Sequence, residues 1–199
     1  MPENISGNLE RAIQFIIEIE QLKDVHRKTR PVGLERYENS AEHSWHVCIS
    51  ALMLKDFADE PVDICRVIKM LLIHDLGEID AGDTIIYQSE TEENKLAERA
   101  GVARLLAFLS DQQAKDYLAL WDEFEAGQTI DAQYAKAIDR VPPLLHNLHG
   151  NHHSWVENKV TESQVIAINS RIGKASKPIW QRLQQQISQA FRTDPQLQK

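Results

Sequence analysis

The stretch Ile64-Cys-Arg-Val67-Ile68-Lys-Met-Leu71-Leu72-Ile-His74-Asp75 decides the reading of this chain. Ile64, Val67, Ile68, Leu71 and Leu72 recur at steps of three and four, which predicts a helix with one buried stripe. His74 falls three residues past Leu71, and Asp75 falls four past Leu71 and three past Leu72. Both polar residues therefore continue the buried face. An ionised aspartate there costs several kcal/mol or more unless it is paired or coordinated. Capping is a poor explanation, because the dipole at a helix C-terminus disfavours an aspartate.

The same conflict appears in two other helices. His43 precedes Val47, Ala51, Leu54 and Ala58 on one inward face. Asp139 lies four residues after Ala135 and next to Ile138, with Pro142 and His146 further along. A lone histidine on an apolar face is ordinarily a hydrogen-bonded core residue. Four such residues from three helices suit a divalent cation instead, with positions left for water and substrate.

The rest of the chain is helical by the same periodicity, and no alternating strand pattern appears. Helices are expected at about Leu9–Leu22, at Ser40 (as N-cap) to Ala58, and from Pro61 in a first turn to Leu76. Gly77 and Gly82 bracket an irregular stretch to Ser89. Further helices are expected from Thr91 to Leu109, from Asp111 as cap to Ala126, and over Ile130–Leu148. Pro142 and Pro143 must kink or restart the last of these. A loop is expected over Gly150–Val160. Thr161-Glu-Ser-Gln164 is a capping box opening a short helix, and Ser176 starts the final helix to about Phe191. Together these predict a single all-α domain.

The chain has 199 residues, with 22 Lys+Arg against 30 Asp+Glu, a formal charge of −8. This acidic balance argues against binding a nucleic-acid polymer. No apolar run approaches the ~18–20 residues of a membrane span. Met1-Pro-Glu-Asn opens no basic-then-apolar leader, so the expected compartment is the cytoplasm. Cys48 and Cys65, the only cysteines, read as two buried free thiols, not a disulfide framework. The eight histidines in so thiol-poor a chain would bind metal beside carboxylates, as hydrolytic sites do. His146, His149, His152 and His153 read as helix-end and loop histidines that need no metal. Trp45, Trp121, Trp155 and Trp180 read as core or interface aromatics. The basic cluster His26-Arg27-Lys28-Thr-Arg30 is suited to an anionic substrate.

The order His43, His74-Asp75, Asp139 resembles that of the HD-domain metal-dependent phosphohydrolases. Ser40-Ala-Glu-His43-Ser-Trp-His46, His74-Asp75-Leu-Gly-Glu78-Ile-Asp-Ala-Gly-Asp83, Trp121-Asp-Glu-Phe-Glu125 and Asp139-Arg-Val-Pro-Pro-Leu-Leu-His are similar to the branch holding the bacterial 5'-deoxynucleotidases and their eukaryotic relatives. The resemblance implies one HD-domain helical bundle over 1–199, with its core at about 8–192 and a frayed tail at 193–199. It implies that His43, His74, Asp75 and Asp139 hold one divalent ion such as Co²⁺, Mn²⁺ or Mg²⁺. It gives Glu78 and Asp83 the handling of the nucleophilic water and its protons, and Arg27 the grip on the substrate phosphate. Asp83 follows a glycine turn that can fold back over the metal. The implied reaction releases phosphate from 5'-(deoxy)nucleoside monophosphates, and the implied assembly is a homodimer. Family members place a tryptophan soon after the arginine, where this chain reads Arg27-Lys-Thr-Arg30. Another small phosphate ester therefore stands as an alternative substrate, and a non-catalytic metal-bound regulatory or dimerisation module as an alternative role. Retention of Glu78 and Asp83 speaks against that last role.

Overall fold

A computed structural model of the chain describes residues 5–83 and 91–198. Among the described residues every regular element is helical, and an isolated bridge pairs His26 with Asn39. Helix α1 (Ile5–Glu18) starts earlier than its apolar pattern suggests and tightens into a 3-10 turn at Ile19–Asp24.

Helix α2 (Ser40–Leu54) is capped by Asn39, not by Ser40. The Asn39 carboxamide oxygen accepts from the Glu42 amide at 2.9 Å, and the Glu42 carboxylate reaches back to the Asn39 amide. This reciprocal box satisfies two otherwise orphaned donors. Ser40 becomes the first helical residue, so its hydroxyl is available to turn inward. A 3-10 turn, Lys55–Phe57, ends the element short of Ala58.

Helix α3 (Ile64–Ile73) is capped by Asp63, whose carboxylate accepts from the amides of Cys65 and Arg66. Pro61 therefore precedes the helix instead of sitting in its first turn. Val67, Met70 and Leu71 are fully buried. Cys65 is exposed on the solvent side, against the expectation of two buried thiols, while Cys48 is buried. His74 and Asp75 lie in the turn that ends α3.

A one-turn helix, α4 (Glu78–Ala81), interrupts the stretch expected to be irregular. It ends at Gly82, whose φ of +77° suits a residue without a side chain. Thr84 to Ser89 of that stretch lie outside the described residues. Gly77 lets α4 close on α5 (Glu92–Leu106), since a Cβ at Gly77 would stand 2.4 Å from the Glu98 carbonyl oxygen. Thr91 caps α5 as expected.

Helix α6 (Asp111–Ala126) is capped by Ser110 in a box with Gln113, which leaves Asp111 as its first residue. Gly127, left-handed at φ +59°, terminates it. The proline pair restarts the chain: α7 (Ile130–Asp139) ends before Arg140, and α8 (Val141–His149) holds both prolines in its first turn. The expected loop at 150–160 contains a short helix, α9 (His153–Glu157). Helices α10 (Glu162–Asn169), α11 (Ile172–Ala175) and α12 (Lys177–Thr193) follow. Thr161 caps α10 and Ser176 caps α12, as their sequences predict. Leu197 packs on the core, and the Gln198 side-chain amide donates to the Arg192 carbonyl at 2.6 Å.

Helices α2, α3 and α7 pack on one another. Val47, Ala51, Val67, Met70, Leu71, Ala135 and Ile138 meet there with no exposed surface. Each large apolar side chain buried in this way contributes roughly 1.5–3 kcal/mol. Their shared contact fixes where His43, His74, Asp75 and Asp139 emerge.

Candidate metal centre

His43 stands on the first turns of α2, His74 and Asp75 end α3, and Asp139 ends α7. The structure brings all four together. His43 Nε2 lies 2.8 Å from Asp139 Oδ1. His74 Nε2 lies 3.0 Å from Asp75 Oδ1 and 3.5 Å from Asp139 Oδ1. His43, His74 and Asp75 each offer a ligand atom within 4.8 Å of the other two.

The state of His74 reveals what this cluster wants. Its Nδ1 sits 2.7 Å from the Leu71 carbonyl oxygen, so Nδ1 carries a proton and donates. In the neutral ring Nε2 then presents a lone pair. That lone pair faces carboxylate oxygens, and Nε2 is buried without a hydrogen-bond partner. Acceptors facing acceptors require a shared positive charge, which a proton or a metal ion can supply. Burial opposes protonation, but Asp75 and Asp139 outweigh it and push the His74 pKa up to about 9. Burial likewise opposes ionisation of Asp139, yet His43 and His74 hold its carboxyl well below the usual range. Two imidazoles and two carboxylates form a donor set that fits a divalent ion. The Trp121 indole N–H donates to the His74 carbonyl at 3.0 Å and steadies the turn.

Glu78 and Asp83 border the same space. The Ser40 hydroxyl donates to Glu78 Oε2 at 2.6 Å, which gives the inward-turned hydroxyl its partner. Burial, and next the Asp75 charge, raise the Glu78 pKa well above its ordinary value, while Arg27 and Ser40 pull it back. Burial and Asp75 also raise Asp83, against the pull of Arg27.

Arg27 is the cation among them. Its Nη1 lies 2.9 Å from Asp75 Oδ2, 3.8 Å from Asp83 and 3.9 Å from Glu78. The segment 23–39, from the end of the 3-10 turn to α2, is locally paired. The Arg27 amide donates to the Glu38 carbonyl, the Glu38 amide to Thr29, and the Ser40 amide to Val25. These backbone bonds hold Arg27 over the centre. Arg30 points elsewhere, toward Glu35 and the Tyr37 ring, and Arg36 pairs with Glu42.

A cavity of about 690 Å³ opens from His74, Asp75, Glu78, Asp83 and Asp139. Its lining also includes the cations Lys95, Lys136, Arg140 and Lys174, the acids Glu98 and Glu125, and the Phe124 ring, 5.2 Å from that of His74. Sequence reasoning missed these cations, because they come from separated helices and form no run. It also missed Glu38, which is 2% exposed and turns Oε2 to within 3.6 Å of both Arg27 Nε and His43 Nδ1. No local signal marks it; it lies in a polar stretch just before a cap.

A helical domain with histidines and carboxylates converging on one buried point is the class that this arrangement defines. The HD domain family model matches residues 19–180, and the chain belongs to that family. A 5'-deoxynucleotidase HDDC2 from Bos taurus is 26% identical over 168 residues, covering 83% of this chain and 78% of the relative. The protein of that name from Dictyostelium discoideum is 28% identical, covering 78% of this chain and 84% of its own length. Among solved structures, a "predicted metal-dependent phosphohydrolase" from Magnetospirillum magnetotacticum MS-1 is 41% identical with a TM-score of 0.87, covering 94% of this chain and 96% of that one.

Proposed function

We propose that this chain is a metal-dependent phosphohydrolase that releases phosphate from 5'-nucleoside monophosphates, deoxynucleotides among them. The observation that carries the reading is His74 Nε2, buried without a hydrogen bond between Asp75 and Asp139. The names of the similar proteins support the reaction class. His43, His74, Asp75 and Asp139 would hold one divalent ion. When bound, that ion supplies positive charge for phosphoryl oxygens and makes water more acidic.

The chain's own residues do the rest. Arg27 binds phosphate oxygens through its guanidinium fork, which suits them better than a point charge. Glu78, held at the edge of the centre by the Ser40 hydroxyl, takes a proton from the attacking water. Asp83, whose pKa burial raises, returns a proton to the leaving oxygen. Phosphate release from a nucleotide panel with Mg²⁺, Mn²⁺ and Co²⁺ tests the proposal; no release with any of them would sink it.

A second reading keeps the centre and changes the substrate to another small phosphate ester. The Arg27-Lys-Thr-Arg30 sequence, with no tryptophan, favours it. Sugar phosphates added to the same panel separate the two.

The reading extends to one HD domain over residues 1–199 with its core at about 8–192, supported by a buried apolar cluster from Leu22 to Phe191. It also includes a homodimer. Trp45, Ile49, Leu52 and Met53 stand exposed at helical spacing on α2, an apolar face suited to a second copy. Among the described residues no helix is long and apolar enough to cross a membrane, and the acidic, cysteine-poor composition supports a cytoplasmic setting.

A further inference from the structure

Behind His43, three more donors converge from separate elements. Glu38 comes from the paired segment before α2, His46 from α2, and His146 from α8. We propose that Glu38, His46 and His146 form a second divalent-metal site, one that takes a borderline transition ion such as Zn²⁺, Co²⁺ or Ni²⁺. This inference stands independently of the phosphohydrolase reading.

Each of the three offers a ligand atom within 4.8 Å of the other two. The Glu38 carboxylate is 2% exposed, and its Oε2 has no hydrogen-bond partner. Its other oxygen, Oε1, lies 3.8 Å from His146 Nε2. That gap is too long for a hydrogen bond. It is close to the spacing of two ligands on one ion with bonds of about 2.0–2.2 Å. His146 Nδ1 sits 3.4 Å from the Thr29 hydroxyl oxygen, which leaves Nε2 as the nitrogen turned to Glu38. A hydrogen bond at one ring nitrogen that orients the other is the usual support of a ligating histidine. The His46 ring lies 5.7 Å from the His146 ring, and His46 is only half-buried, so one of the three donors borders solvent.

Charge fits as well. Burial holds both imidazoles below their ordinary pKa despite the opposing pull of Glu38, so both are neutral ligands near pH 7. Arg27 Nε and His43 Nδ1 each stand 3.6 Å from Glu38 Oε2, beside its buried carboxylate. Two neutral imidazoles and one carboxylate select a borderline ion over Mg²⁺ or Ca²⁺. Glu38 would then tie the two centres together, Oε1 toward the new ion and Oε2 toward His43 Nδ1.

The test is cobalt and zinc titration of the full chain, read by elemental analysis and by the visible absorption of bound Co²⁺. His46→Asn and His146→Gln should each carry one equivalent less than the parent chain. Asp75→Asn should keep the equivalent that those two lose. Equal stoichiometry and affinity in the parent chain and His46→Asn would overturn the inference. His46 is half-buried, so that variant stays informative even where His146→Gln disturbs folding. Retention of all metal by Asp75→Asn would count against the first centre and leave this inference standing.

Discussion

His74 does separate work with its two ring nitrogens. Nδ1 closes the end of α3 on the Leu71 carbonyl, and Nε2 is thereby aimed at Asp75 and Asp139. Asp75→Asn removes a charged donor from that cluster. It is expected to lose the metal of this centre and phosphohydrolase activity together, by at least the ~10–100-fold that loss of a supporting outer-shell residue costs. Elemental analysis beside the phosphate-release assay checks this, and metal-dependent activity that survives the change would refute the assignment. Ser40 offers a finer probe. Its hydrogen bond lowers the Glu78 pKa against burial and Asp75. In Ser40→Ala that restraint is gone, so the Glu78 pKa rises further. The acidic limb of the kcat/KM profile is expected to move to higher pH, and a downward shift would argue against Glu78 as the base.

At the scale of elements, the centre depends on how helices end and begin. His43 could be placed from its apolar stripe on α2, and His74 and Asp75 from the stripe on α3, because 3.6-residue periodicity is a local property. The identity of the caps was less legible. Ser40 and Asp111 looked like caps, yet Asn39 and Ser110 do that work, because adjacent polar residues compete and tertiary partners choose between them. Pro61 fits a first turn by its ring, but Asp63 satisfies the first amides of α3 and so sets the start. Gly77 carries a separate constraint. A methyl group there would press on the Glu98 backbone at 2.4 Å, where neither partner is a flexible side chain. Gly77→Ala is expected to separate α4 from α5 and destabilise the chain by about 1–3 kcal/mol. Urea denaturation measures this, and an unchanged midpoint would show that the helices reseat without cost.

At the scale of the whole molecule, the clustered charges make stability depend on pH and metal. In the metal-free chain the folded His74 pKa is about 9, against about 6.5 when unfolded. The raised value means that its contribution is fully present below about pH 6.5 and is lost as pH rises through about 9. Glu78 and Asp83 act in the same direction, since their raised pKa values make ionisation costly in the folded state. A chelated sample is therefore expected to unfold at lower urea concentration at pH 9 than at pH 6. Saturating metal should restore stability, by roughly 2.7 kcal/mol at a hundredfold excess over Kd. The α2 face gives a second measurement at this scale: Met53→Lys should shift sedimentation from dimer toward monomer, and an unchanged dimer would place the interface elsewhere.

The sequence by itself determined the all-α class, the helical stripes and the four donors that interrupt them, because burial and periodicity are written in residue order. It also determined that an acidic chain needs a local cation for an anionic substrate. Tertiary structure alone decided that Arg27 lies over Asp75, that Ser40 holds Glu78, and that Glu38 meets His43, His46 and His146. It also decided that Lys95, Lys136, Arg140 and Lys174 line one cavity with the centre. These groups lie far apart along the chain and share no period. Only the packing of α2, α3 and α7 fixes the distances between them, and no local pattern encodes a distance.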